Sequence, residues 1–296
     1  MSNIQITELY IYPVKSLRGI AITSGMVTPR GFRHDRRWMI VDEEGRFITQ
    51  RQESSLALVE VAIEEESLRL TAPGMSPLHL PLEPEEGRPR EVTVWSDRVE
   101  AWSVSEEADG WISEYLGRRA AIVYMPESTQ RTVDPEYATS SGDIVSFADG
   151  MPFLLISEGS LADLNRRLID QGASKMTMNR FRPNIVVSGC PAYQEDRWRL
   201  FRINGLRLSG VKPCSRCVVT TIDPSTGKKG QEPLRTLSDY RRQGNKVFFG
   251  ENVIPCLDDL VAEPRWLRVG DTVEIVELKE QESETTMLET GIPEVL

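Results

Sequence analysis

Along the first half of the chain, apolar and polar positions alternate with a period near two in short runs. These cover residues 4–12, 22–28, 37–42, 58–63, 68–71 and 92–95, each rich in Val, Ile, Tyr or Trp and bounded by Gly, Pro or charged turns. Such spacing predicts antiparallel β structure. Pro73, Pro77, Pro81, Pro84 and Pro89 punctuate residues 73–90, which therefore read as a surface connection. A short helix is expected over 106–116, stopped by Gly117.

In the second half the period lengthens once. Ser157 can cap a helix whose face carries Leu161, Leu164 and Leu168, and Gly172 can end it. Strands are expected at 184–188, 200–203, 206–211 and 218–222, with Asn204-Gly205 supplying a hairpin turn. A helix over 233–242 then precedes strands at 246–249, 253–255 and 272–277. The reading is a strand-rich α+β protein rather than a βαβ array. It divides into an N-terminal β domain (1–125), a second domain (126–278) and an acidic mobile tail (279–296) holding five glutamates.

Charge narrows the partners. With 35 Lys and Arg against 45 Asp and Glu, a net charge of −10 disfavours phosphate backbones and anionic membranes. Basic residues that converge in so acidic a chain point to one localised anionic ligand. Four cysteines are too few for a disulfide scaffold and fit a reducing compartment. The N-terminus lacks a basic and apolar leader, and no apolar run approaches the roughly 20 residues that span a bilayer, so a cytoplasmic protein is expected.

Three clusters carry candidate chemistry. Cys214-Ser215-Arg216-Cys217 puts two thiols beside a guanidinium, a setting that favours a thiolate acting as metal ligand or nucleophile. Buried, inert cysteines are the plain alternative. Structural zinc wants four N or S ligands, which Cys190, Cys256, His34 and His79, each standing alone, do not supply. A thioredoxin-type pair wants a βαβ setting, and the spacing of an iron–sulfur cluster is absent. A single soft thiolate on a soft metal remains, with Arg216 expected to keep it ionised. Lys15 and Ser16, with Arg33, Asp35 and Arg36 further on, offer a hydroxyl and cations suited to a phosphate, or else solvated surface charge. Arg180 and Arg182 precede Pro183 and Asn184. Pro183 disfavours helix at Arg182 and predicts an extended exit that aims both Arg182 and Asn184, although interdomain ion pairs would use the same residues.

In order along the chain, Tyr-Pro-Val-Lys-Ser (12–16), Asp-Arg-Arg-Trp-Met (35–39), Asn-Arg-Phe-Arg-Pro-Asn (179–184) and Cys-Ser-Arg-Cys (214–217), followed by Thr-Thr-Ile-Asp-Pro (220–224), resemble the MOSC family. The pattern is similar to that of the mitochondrial amidoxime-reducing component and its bacterial relatives. The resemblance covers roughly residues 4–278. It implies an N-terminal MOSC-associated β domain, a C-terminal MOSC β-barrel, and a molybdenum cofactor (molybdopterin) that serves reduction of small N-hydroxylated substrates. Residue by residue, it implies Cys217 as molybdenum ligand and catalytic centre, with Cys214 in the supporting loop. Lys15, Ser16, Arg36, Arg182, Asn184, Ser215 and Arg216 would bind the cofactor, and Asp196, Cys190 and Arg180 are candidates to stand just behind, with an ordinary surface acid as the alternative at Asp196. Some bacterial relatives carry a ferredoxin module after the MOSC domain. None is expected here, and electrons are expected from a separate protein: a b-type cytochrome, a ferredoxin or a flavoprotein reductase. The mitochondrial members' targeting and anchoring segment has no counterpart in the residues read, so mitochondrial localisation is not expected. Other MOSC domains are linked to sulfur transfer in cofactor maturation. A cofactor carrier or sulfur acceptor is therefore the alternative, while a self-contained desulfurase using pyridoxal phosphate is not expected.

Overall fold

A computed structural model describes residues 3–261 and 263–280. The expected acidic tail lies outside these residues except for its first two, of which Lys279 is held: its amide donates to the Arg197 carbonyl and its ammonium contacts Glu251.

The largest sheet has nine strands. Its hydrogen-bonded path runs Val273–Leu278, Trp198–Ile203, Leu206–Ser215, Lys246–Pro255, Phe153–Ser157, Ile185–Ser188, Gln5–Ile11 and Ile20–Ile22, with the short Arg242–Gln243 off the path. The sheet is not closed, so the expected barrel is open, although an isolated bridge joins Gln5, in the last strand but one, to Thr272 just before the first. Its one parallel pairing, Phe153–Ser157 with Ile185–Ser188, is spanned by the helix Glu158–Asp170 (α2), since a parallel pair needs a crossover. Ser157 caps α2 by accepting from the Ser160 amide, as its hydroxyl chemistry requires.

A second sheet orders Trp38–Val41, Ala121–Tyr124, Asp97–Ser103 and Arg88–Val94. Against it packs the helix Glu106–Leu116 (α1), capped by Ser105 and ended by left-handed Gly117. Two three-stranded sheets complete the fold, one of Glu60–Glu64, Ser67–Thr71 and Leu78–Pro81, the other of Arg265–Arg268, Ser24–Thr28 and Gly31–Phe32. One apolar core gathers around Trp38, Leu56, Leu68 and Ile112, another around Ile6, Phe153, Ile185 and Trp198.

Two expectations are corrected. The proline-rich connection contains the strand Leu78–Pro81 and the start of Arg88–Val94. Both strands lie at sheet edges, where a residue without an amide hydrogen costs no ladder bond. The expected strand at 218–222 is instead the 3₁₀ turn Val218–Thr221. There Thr220 and Thr221 donate their hydroxyls to the carbonyls of Cys217 and Val218, a local bonding pattern that competes with a sheet ladder. Asn204 and Gly205 make the expected turn, both in the left-handed region at φ 49° and 78°.

Candidate active site: a cationic cavity with a thiol

Segments far apart in sequence converge on a cavity of about 140 Å³ lined by Lys15, Ser16, Arg36, Arg182, Asn184, Ser215, Arg216 and Cys217. Lys15 and Ser16 follow the strand Gln5–Ile11, and Arg36 precedes Trp38–Val41. Arg182 ends the 3₁₀ turn Met178–Phe181, Ser215 ends the long strand Leu206–Ser215, and Cys217 opens Val218–Thr221. A register shift between Pro213 and Ser215 breaks the pairing of that strand just where it meets the cavity. Ser16, Arg36 and Arg182 all have positive φ, at 71°, 50° and 58°. Non-glycine residues in the left-handed region carry strain of order 1–3 kcal/mol each, and such residues cluster at functional sites. Arg182 is thus not extended: Pro183 excludes right-handed helix, and the residue turns left-handed instead.

The ring of Tyr12 organises two of the cations. The guanidinium carbons of Arg36 and Arg182 lie 4.2 and 4.3 Å from its centroid, and its hydroxyl donates to the Pro183 carbonyl at 3.0 Å. Gly19 leaves room for this ring, since a Cβ there would fall 2.3 Å from a Tyr12 ring carbon. Burial pushes the Tyr12 phenol up to about 12 and Arg182 down to about 10. Arg36 donates to buried Asp35 at 2.6 Å and to the Asn184 carboxamide oxygen at 3.0 Å. Burial raises the Asp35 carboxyl, against the pull of Arg36. Asn184 spends its own groups internally, accepting also from the Leu154 amide and donating to the Tyr10 carbonyl, so it positions Arg36.

The two thiols differ. Arg216, expected beside the reactive sulfur, donates to Cys214 at 3.0 Å and to the Phe181 carbonyl at 2.6 Å. Even so, burial keeps the Cys214 thiol above its ordinary range. The guanidinium beside Cys217 is that of Arg51, with Nη2 3.2 Å from Sγ. Arg51 also lies over Trp95, 4.6 Å from its ring centroid, and faces Asp149 at 3.8 Å. Nothing in the pattern around Thr49-Gln50-Arg51 distinguishes this arginine from the other basic residues, so sequence reasoning missed it, as it missed Asp149.

The three residues expected just behind the site are not brought into this cavity. Arg180 pairs with Asp223 at 3.1 Å and lines an adjoining groove of about 990 Å³, which shares Arg182 and Val219 with the cavity. Asp196 is bound by Arg241, and Cys190, pushed up to about 11 by burial, lies by the buried Glu195. Asp196 sits elsewhere because its turn, Gln194–Arg197, packs on the neighbouring strands, and Cys190 because it packs against the core around Ile6, Phe153 and Trp198.

Lys15 is 6% exposed, donates to the Phe147 carbonyl at 2.7 Å and to Asp149 at 2.6 Å, and is lowered by burial to about 8. A base depressed in the folded state binds fewer protons there than in the unfolded chain, so its stability penalty is relieved as pH rises from about 8 toward its ordinary 10.5. Anion binding should move the other way, weakening as the ammonium discharges near pH 8. Denaturation midpoints and phosphate titrations across this window, compared with Lys15→Met, check both trends.

The strand-rich fold and the thiol among converging cations agree with the family that the chain's sequence matches. Residues 3–119 match the MOSC N-terminal beta barrel domain family and residues 142–274 the MOSC domain family. The chain is 34% identical to the mouse (Mus musculus) mitochondrial amidoxime-reducing component 1, over 90% of this chain and 81% of that protein. It is 38% identical to the rat (Rattus norvegicus) mitochondrial amidoxime reducing component 2, over 80% and 72% respectively. The chain belongs to the MOSC family that includes these amidoxime-reducing components. It is also 30% identical to human (Homo sapiens) molybdenum cofactor sulfurase, covering 90% of this chain but only 32% of that protein. A protein of molybdenum-cofactor biochemistry fits all of these relatives. Among the described residues, no helix is long and apolar enough to cross a membrane.

Proposed function

We propose that this protein is an oxidoreductase that reduces N-hydroxylated compounds at a molybdenum cofactor, with electrons delivered by a separate b-type cytochrome, ferredoxin or flavoprotein reductase. The observation that carries this reading is the half-buried thiol of Cys217 in a cavity where Lys15, Arg36, Arg51, Arg182 and Arg216 converge, within a chain of net charge −10. The donor set fits the group. A soft thiolate suits a soft metal, fixed guanidiniums and an ammonium suit a pterin phosphate, and the buried Nε of Arg216 has no protein partner. Among the described residues, no three His, Cys, Asp or Glu side chains converge to cage an ion. A metal here would therefore be held by Cys217 together with ligands that it brings.

When bound, the cofactor supplies the two-electron redox centre for N–OH + 2e⁻ + 2H⁺ → N–H + H₂O. The chain's part is to position and to balance charge. Arg36, Arg182 and Lys15 would anchor the anionic end, Ser16, Ser215 and Arg216 would orient it, and Arg51 would hold the Cys217 sulfur. Asn184 would act through Arg36.

Purified protein carrying about one molybdenum and one pterin per chain, reduced by a viologen dye, is expected to convert an amidoxime to its amidine, quantified by chromatography. A molybdenum-replete sample whose metal is demonstrably reduced but which yields no product would overturn the reading. The second reading, a cofactor carrier or sulfur-transfer protein, is favoured by the match to the sulfurase. It expects exchangeable cofactor or a persulfide on cysteine, without turnover.

A further inference from the structure

Among the described residues that line the cavity, Asp149 supplies the lone carboxylate against five cations. Its Oδ1 accepts from the Lys15 ammonium at 2.6 Å and from the Trp95 indole at 3.3 Å, while Oδ2 faces Arg51 Nη2 at 3.8 Å. Yet this side chain is 64% exposed, whereas the lysine it meets is 6% exposed. The same site shows what a permanent counterion looks like. Asp35, paired to Arg36, has a side chain with no exposed surface, and both of its oxygens are bonded, one to Arg36 and the other to the Tyr12 amide.

The backbone around Asp149 is pinned by contacts that do not involve its carboxylate. Arg131, itself buried, donates to the carbonyls of Ser146, Ala148 and Asp149 at 2.9, 2.6 and 3.1 Å. Lys15 also donates to the Phe147 carbonyl, so its ammonium keeps its place if the carboxylate leaves. The loop backbone therefore does not depend on the Asp149 carboxylate, whose side chain is open to solvent.

We propose that the Asp149 carboxylate is a stand-in anion, which occupies the position that a phosphate-type oxyanion takes on Lys15 and Arg51, and swings out when that ligand binds. The inference rests on the reading that the cavity takes an anionic ligand. An internal competitor lowers apparent affinity by the fraction of time it holds the site, because binding requires the vacated state. It also spares buried Lys15 an uncompensated charge while the cavity is empty.

The test titrates cofactor-free protein with inorganic phosphate by calorimetry, comparing the parent with Asp149→Asn, Asp149→Ala and Lys15→Met, folding being checked by circular dichroism. Asp149→Asn should bind phosphate at least about five-fold more tightly, and as purified from cells it should retain more pterin. Using both Asp149 variants keeps the test open if one fails to fold. Phosphate binding that is lost in Lys15→Met but unchanged or weaker in the Asp149 variants would make Asp149 a permanent counterion and overturn the proposal, leaving the anion site intact. Binding indifferent to Lys15, or absent in all four proteins, would remove the anion site itself and the proposal with it.

Discussion

Cys217→Ala is expected to lose bound molybdenum and to drop amidoxime turnover to background, whereas Cys214→Ala keeps metal near one per chain. Both thiols line the same cavity, so proximity does not separate them. Their surroundings do. Cys214 packs beside the core cluster of Leu154, Phe181 and Phe249, where burial favours the neutral thiol, and its Arg216 partner is independently tied to the Phe181 carbonyl. Cys217 stands at the head of a 3₁₀ turn with Arg51 directed at its sulfur. Metal analysis and absorption spectra of the two variants decide the matter, and equal metal loss in both, or in neither, refutes the assignment.

Arg36→Ala should damage the fold as well as the site, costing about 3–5 kcal/mol, because it leaves the Asp35 carboxylate buried without its cation. Lys15→Ala should behave differently. Its partner Asp149 is solvent-exposed and can hydrate, so cofactor retention falls while the denaturation midpoint moves little. Urea unfolding of the two variants, with pterin content measured alongside, checks this contrast. A double variant, Arg36→Met with Asp35→Asn, is expected to recover part of the lost stability because it removes both charges. Equal midpoints for Arg36→Ala and the parent protein would mean that Asp35 is hydrated, contrary to its burial, or takes up a proton, the form that burial favours.

Local signals in the sequence carried the helices and most of the strands. Ser157 with the Leu161, Leu164 and Leu168 spacing, and Gly117 and Gly205 at their turns, act through contacts within a few residues, and such contacts can be read from a string of letters. The proline-bearing strands Leu78–Pro81 and Arg88–Val94 were hidden because their legitimacy depends on lying at an edge, a property of the assembled sheet. Within the site, the residues in motifs reached the cavity, but their pairings did not follow spacing. Arg216 is next to Cys217 in sequence, yet backbone geometry turns it toward Cys214. Arg51, distant along the chain, reaches Cys217 because the stretch that carries it folds back over the loop after the long strand, with Lys229 donating to its carbonyl at 3.0 Å. Asp149 and Arg131 belong to a stretch without regular structure, and no periodicity announces it.

The placement of Gln5–Ile11 has a consequence for how such a protein can be made and inherited. That opening strand completes the nine-stranded sheet by pairing with Ile185–Ser188, and Arg265–Arg268 near the other end pairs with Ser24–Thr28. The first and second halves of the described chain are thus stitched across each other, and the first half, made earlier, cannot finish its sheets until the second has been synthesised. A gene cut at codon 125 would yield two fragments, each missing strands that only the other encodes. Recombination at that point would rarely give a folded product, so the two parts are expected to be inherited together rather than as interchangeable modules.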